Sequence, residues 1–161
     1  MLRLTLLEFF LRGLPEGFLF VFAVYAFSKT VINKKRYIIS SILLVIAVYT
    51  IRLLPIQYGV HTILNIIVII LLTVNINKIS IIKSIQTSLM TIILEFICEG
   101  INVFTIQYIF KVDIAHLLSV PSLKIIYGIP SLLIFAVTVA IYYFWSDRRK
   151  KLSEVIDGEI I

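Results

Sequence analysis

The sequence predicts an all-α fold, a polytopic membrane helix bundle of about five transmembrane helices, and three observations carry that expectation. Of the 161 residues, 60% are apolar and only 15% are charged, against roughly 45–50% and about 25% in a soluble domain. The mean hydropathy is +1.06. Ile alone supplies 32 residues, many in runs that no small soluble core would bury, so a bilayer is the solvent that suits them. This composition excludes a soluble enzyme, a secreted disulfide scaffold and a compact nucleic-acid-binding domain. The net charge of +6 is then the cationic excess of loops at a membrane surface. Cys98 is the only cysteine, which excludes an intrachain disulfide. Glu8 and Arg12 interrupt the first apolar stretch and no small-residue cleavage site follows, unlike a secretory signal peptide.

Five spans are expected, over residues 4–28, 37–54, 59–74, 84–110 and 124–145. Roughly 20 helical residues cross the hydrocarbon at about 1.5 Å each, so the second and third are slightly short and the fourth is long and tilted. Gly13-Leu14-Pro15 predicts a break in the first. Pro15 cannot donate to Leu11, and it suits the first turn of a new helix. About 14 residues remain before Lys29, or roughly 21 Å of helix, less than the core thickness. Either residues 3–12 form a short interfacial helix or the break lies inside the membrane, and a broken or re-entrant first span is the reading favoured. Residues 1–148 would form one transmembrane domain, followed by a short basic-then-acidic tail over 149–161 that frays or docks a partner.

Charge sets the orientation. Lys29, Lys34, Lys35 and Arg36 follow span one, Lys78 and Lys83 follow span three, and Arg148, Arg149, Lys150 and Lys151 follow span five. These ten cations mark the cytoplasmic side. The other side has Arg3, Lys111 and Lys124, with Arg12 and Arg52 at the membrane edge. Five spans then place the N-terminus outside and the C-terminus inside. Tyr37 at the start of span two, and Tyr142, Tyr143, Phe144 and Trp145 at the end of span five, have the positions of interfacial aromatics.

Ionisable residues inside spans are expensive and are the default functional candidates. In span four, Ser84, Ser88, Thr91, Glu95, Glu99 and Asn102 recur at three- and four-residue spacings and form one helix face. Counted from Ser84, Glu95 is about 16 Å and Glu99 about 22 Å deep. Carboxylates at that depth need protons or cationic partners. Arg52 has matching depth, Arg12 and Glu16 flank the expected break, and His61 opens span three with Tyr58 and Asn65 on its face. The expectation is one outward-facing polar pocket made of Arg12, Glu16, Arg52, His61, Asn65, Glu95, Glu99 and Asn102. Glu99→Gln and Arg52→Gln should each perturb the protein more than Glu154→Gln. The competing expectation is that the same groups only hold helices together, at about 0.6 kcal/mol per interhelical contact; for Ser84, Ser88 and Thr91 packing is the better account. His116 stands beside Asp113 in an outer loop, with no role assigned.

Catalytic sets are missing from the sequence. There is no His-Glu-x-x-His for a metal and no phosphate-binding Gly-rich loop. Cys98 between two carboxylates lacks the positive surroundings that a thiolate needs. No catalytic residue, metal or cofactor is therefore expected.

The segments Arg12-Gly-Leu-Pro-Glu-Gly17, Arg52-Leu-Leu-Pro55, Tyr58-Gly-Val-His-Thr62 and Phe96-Ile-Cys-Glu-Gly100 resemble the multi-span membrane region that precedes GHKL-type sensor histidine kinases of low-GC Firmicutes. The likeness covers roughly residues 10–148. It implies a sensor-like module in the cell membrane, and because no phosphoacceptor helix or ATP-binding domain follows span five, a module without its kinase. The expected function is a non-catalytic sensor or regulatory module that binds a small molecule or peptide signal, or a partner helix, and associates with a separate kinase. A small-solute transporter or the substrate-binding subunit of an importer is the alternative, though such subunits have six spans. An accessory subunit of a larger membrane complex is the third. The bilayer itself is the one partner common to all three, and no nucleic acid is expected.

Overall fold

In a computed structural model, residues 9–55, 58–109, 111 and 121–158 are described, and among them the only regular structure is helical. Five α-helices follow in order: α1 (Leu14–Ser28), α2 (Lys34–Leu53), α3 (Tyr58–Asn75), α4 (Ile81–Phe104) and α5 (Pro121–Gly158). Four stretches are long and apolar enough to cross a membrane: Phe9–Ser28, Lys34–Leu53, Ile81–Ile109 and Ile125–Ser146. The apolar run of α3, Gly59–Asn75, is shorter. Helices are the natural product of such segments, because in hydrocarbon every backbone group must be satisfied within its own segment.

Sequence signals set several boundaries. Asn33 caps α2, its side chain accepting from the Arg36 amide at 3.3 Å, which starts the helix three residues before the expected Tyr37. Pro55 follows its last turn, where a helix ends readily. Lys29, Lys78 and Lys111 take left-handed backbone conformations, with φ of 53°, 58° and 53°. At Lys29 this closes α1, the amide reaching the Ala26 carbonyl.

One expectation is corrected. The first span is not broken at Gly13-Pro15. Phe9–Gly13 forms a π-helical turn that runs directly into α1, with Gly13 itself helical at φ −62° and ψ −40°. A wider hydrogen-bonding register absorbs the donor that Pro15 lacks, without ending the helix. The end of α4 does the same, passing into a π-helical turn at Thr105–Ile109. At the other end of the chain, α5 continues through the basic segment to Gly158.

The first helix is the hub, packing against α2, α4 and α5 and more lightly against α3. Phe9 meets Tyr49, with ring centroids 4.9 Å apart, while Tyr25 meets Tyr37 at 6.3 Å, so α1 and α2 are antiparallel. Phe20 meets Phe135 at 5.8 Å and Phe27 meets Tyr142 at 5.0 Å, so α1 and α5 run parallel. Their core holds Val21, Val24, Tyr25, Leu44 and Ile92 on one side of α1, and Ala23, Ala26, Cys98, Phe135 and Val139 on the other. Outward faces carry exposed Ile39, Ile46, Ile63, Ile67, Ile93, Ile97, Leu133 and Val137, the surface that a lipid solvent would cover.

Small residues let the helices approach closely. A Cβ added at Gly17 would stand 2.3 Å from Cγ2 of Val45. Ser40, Ser41, Ser84, Ser88, Thr73 and Thr91 are fully enclosed. The threonines direct their hydroxyls to carbonyls of their own helices, as Thr91 does to Thr87 at 2.8 Å. Of the expected interfacial aromatics, Phe144 and Trp145 are exposed. Tyr142 and Tyr143 are half-buried against Phe27 and Phe22. Tyr37 turns inward and donates to the Phe18 carbonyl at 3.1 Å.

Candidate polar site

At the end of the bundle opposite Ser28, the helices bring charges together. Arg12 lies in the π-helical turn and Glu16 one turn on, so that Nε of Arg12 is 3.8 Å from Oε2 of Glu16. The same guanidinium donates through Nη2 to Oε1 of Glu99 on α4. It lies over Gly128 of α5, where an added Cβ would stand 2.8 Å from Nη1. Arg52, in the last turn of α2, brings Nη2 to 3.5 Å from Oε1 of Glu16. Glu16 is thus held between two guanidiniums, with its side chain 12% exposed. Pairing makes charge tolerable here, since an isolated carboxylate removed from water is costly.

Glu95 differs from its neighbours. It stands one turn before Glu99 on the same face of α4 and enters none of the ion pairs seen among the described residues. Its carboxyl is hydrogen-bonded to that of Glu16, and Glu99 and Arg12 are its other charged neighbours. The cluster therefore assembles three carboxyl groups and two guanidiniums.

The charges border a cavity of about 150 Å³ lined by α1, α2, α3 and α4. Glu16, Arg52, Asn65, Glu95 and Glu99 supply its polar wall with Thr62, while Phe20, Leu44, Val48, Ile69, Ile92 and Phe96 supply the apolar one. Oδ1 of Asn65 is covered and accepts no hydrogen bond from the described residues. A second space of about 10 Å³ lies between Arg12, Glu16, Glu95, Glu99, Ser131 and Phe135, about enough for one water.

Six of the eight residues expected in one pocket thus come together: Glu16, Arg52, Asn65, Glu95 and Glu99 around the larger cavity, and Arg12 at the smaller. His61 and Asn102 do not line either. On α3 the inward stripe is Thr62, Asn65 and Ile69, rotated by one residue from the expected Tyr58–His61–Asn65 face. Asn102 is used elsewhere, its Nδ2 donating to the Tyr127 carbonyl of α5 at 2.7 Å. Pro130 lies inside α5 and cannot continue the hydrogen-bond ladder. Asn102 and Ser131, whose hydroxyl donates to the Gly128 carbonyl at 2.8 Å, hold carbonyls beside it, as side chains do near membrane prolines.

Sequence reasoning also missed the glycines. Gly13-x-x-x-Gly17 is a small-residue spacing for close helix contact, and it announces the approach to Val45. Nothing in the sequence announces that Gly128 makes room for Arg12. Arg3, Asp113 and His116 fall outside the described residues, as does the side chain of Tyr58.

The arrangement holds charge around a partly open cavity, and among the described residues it does not assemble a nucleophile. Cys98 is buried among Ala23, Ala26, Phe135 and Val139. Among the described residues no three His, Cys, Asp or Glu groups are placed to hold a metal ion. No family model, curated protein or solved structure matches the chain.

Proposed function

We propose that the chain is a non-catalytic, multi-pass module of the cell membrane that senses a small signal in its polar cavity. One observation carries the reading: four helices, otherwise apolar on their outward faces, contribute polar or charged side chains to a single, partly open cavity. Static packing alone would favour filling that space. In this reading α3 crosses with the other helices despite its shorter apolar run. The ten cations near Ser28, Asn75 and Trp145 lie in the cytoplasm, and the cavity lies in the outer half.

A signal acts by binding one arrangement of the helices better than another. Arg12 is the hinge point, because it joins α1 to α4 through Glu99 and rests on α5 at Gly128. Any shift of Arg12 is felt by α5, which leads into the basic segment starting at Arg148 and so to a separate kinase or another subunit of a membrane complex. The resemblance to the membrane regions of GHKL-type histidine kinases supports this role.

Purification of the tagged protein in mild detergent, with mass spectrometry of associated proteins and small molecules, tests it. A histidine kinase or other signalling protein in stoichiometric amount is the expected result. A protein that copurifies alone and moves a solute across proteoliposomes would replace sensing by transport.

A further inference from the structure

We infer that the cavity takes a small organic ammonium ion, with Glu95 as its counter-ion; the inference rests on the cavity being the ligand site proposed above. Charge balance comes first. Arg12 and Arg52 are committed to Glu16 and Glu99, and Glu95, hydrogen-bonded to Glu16, is the third carboxyl group set against two guanidiniums. Two carboxyl groups so joined share a proton, and a positive guest would take that proton's place.

Hydrogen bonding points the same way. Oδ1 of Asn65, across the cavity on α3, accepts no hydrogen bond from the described residues. The excess carboxylate and Oδ1 of Asn65 are both acceptors, and a primary ammonium is the small cation that donates in several directions at once. An anion would meet Arg52, but only beside the Glu95 and Glu99 carboxylates that line the same space. The apolar wall formed by Phe20, Val48 and Phe96 suits a short alkyl or aryl group, and aromatic faces attract cations. A volume of about 150 Å³ is that of a cavity which holds a benzene-sized guest, so the ligand has about six heavy atoms.

Calorimetry on the protein in zwitterionic nanodiscs, with n-butylammonium, butan-1-ol and butyrate as matched probes, tests this. Saturable binding of butylammonium alone is expected, weakened about 10- to 100-fold by Glu95→Gln, as for loss of a hydrogen bond to a charged group, and unchanged by Glu154→Gln. Val48→Phe, which fills the apolar wall, should abolish binding and serves if Glu95→Gln does not fold. Binding of butyrate or butanol in place of the amine, lost in Val48→Phe, would overturn the ammonium assignment and leave the cavity as a ligand site. Binding of none of the three would overturn both.

Discussion

The two halves of α4 share one helix face and do opposite things with it. Towards its start, Ser84, Ser88 and Thr91 are 0% exposed and packed against neighbouring helices. Beyond Thr91 the same stripe continues as Glu95 and Glu99 and borders a cavity. Side-chain size explains the difference. Small hydroxyl-bearing residues let backbones approach, and the threonine satisfies itself locally, Thr91 donating to the Thr87 carbonyl at 2.8 Å. Glutamates hold helices apart and need partners from other helices, as Glu99 finds in Arg12 and Glu95 in Glu16. Polarity inside a membrane-type bundle thus has two uses, and the length of the polar side chain selects between close packing and a charged, open site.

The largest effect should come from Arg12→Gln, which removes the shared partner of Glu16 and Glu99. Breaking a fully buried pair costs about 3–5 kcal/mol and an exposed one about 1 or less. Arg12 is 23% exposed, so we expect about 2–3 kcal/mol, read from unfolding in detergent. Arg52→Gln should cost under about 1 kcal/mol, because Arg52 is 36% exposed and makes one contact at 3.5 Å. A reversed order would mean that Arg52, not Arg12, organises the charged end.

Gly17→Val tests the close-packed contact that borders the cavity. Val45 is β-branched and stiff in a helix, so it cannot easily leave the space that a new side chain would need. Overpacking of this kind costs about 1–3 kcal/mol. Adding Val45→Ala should return a large part of it, with a coupling of about 0.5–3 kcal/mol in a double-mutant cycle. Additive losses would show that α1 and α2 do not meet at this point.

The helices and most of the charged cluster were legible because both depend on local pattern. Apolar runs announce segments, and the three- and four-residue spacing along α4 announces a face. The inward stripe of α3 was misread by one residue, because His61, the most conspicuous polar group, drew the face towards itself while Thr62 and Asn65 line the cavity. Pro15 looked like a helix break because the sequence does not display the π-helical alternative at Gly13. Asn102 continued the α4 pattern, yet its partner is a carbonyl beside Pro130, and that pairing depends on how α4 and α5 dock. Gly128 was invisible for the same reason: its value lies in the atoms of Arg12 above it.

Asn102→Ala separates docking from the polar site. Interhelical hydrogen bonds of this type average about 0.6 kcal/mol and reach about 1.7, and the upper part of that range is expected because the Tyr127 carbonyl adjoins the Pro130 interruption. Butylammonium affinity should not change. A loss of affinity equal to that of Glu95→Gln would return Asn102 to the site.

Ser84→Ala should have the smallest effect and makes the sharpest statement about the close-packed half. Its hydroxyl is fully buried and makes no hydrogen bond among the described residues. Removing a buried polar atom without a partner sacrifices no bond, and one missing oxygen leaves little space behind. The unfolding midpoint should therefore shift by the equivalent of no more than about 0.5 kcal/mol, whereas Ser84→Leu should cost about 1–3 kcal/mol through overpacking. A large loss from Ser84→Ala would mean that the hydroxyl has a partner after all, a buried water or a neighbouring group. The difference between the two halves of α4 would then lie in charge alone rather than in packing.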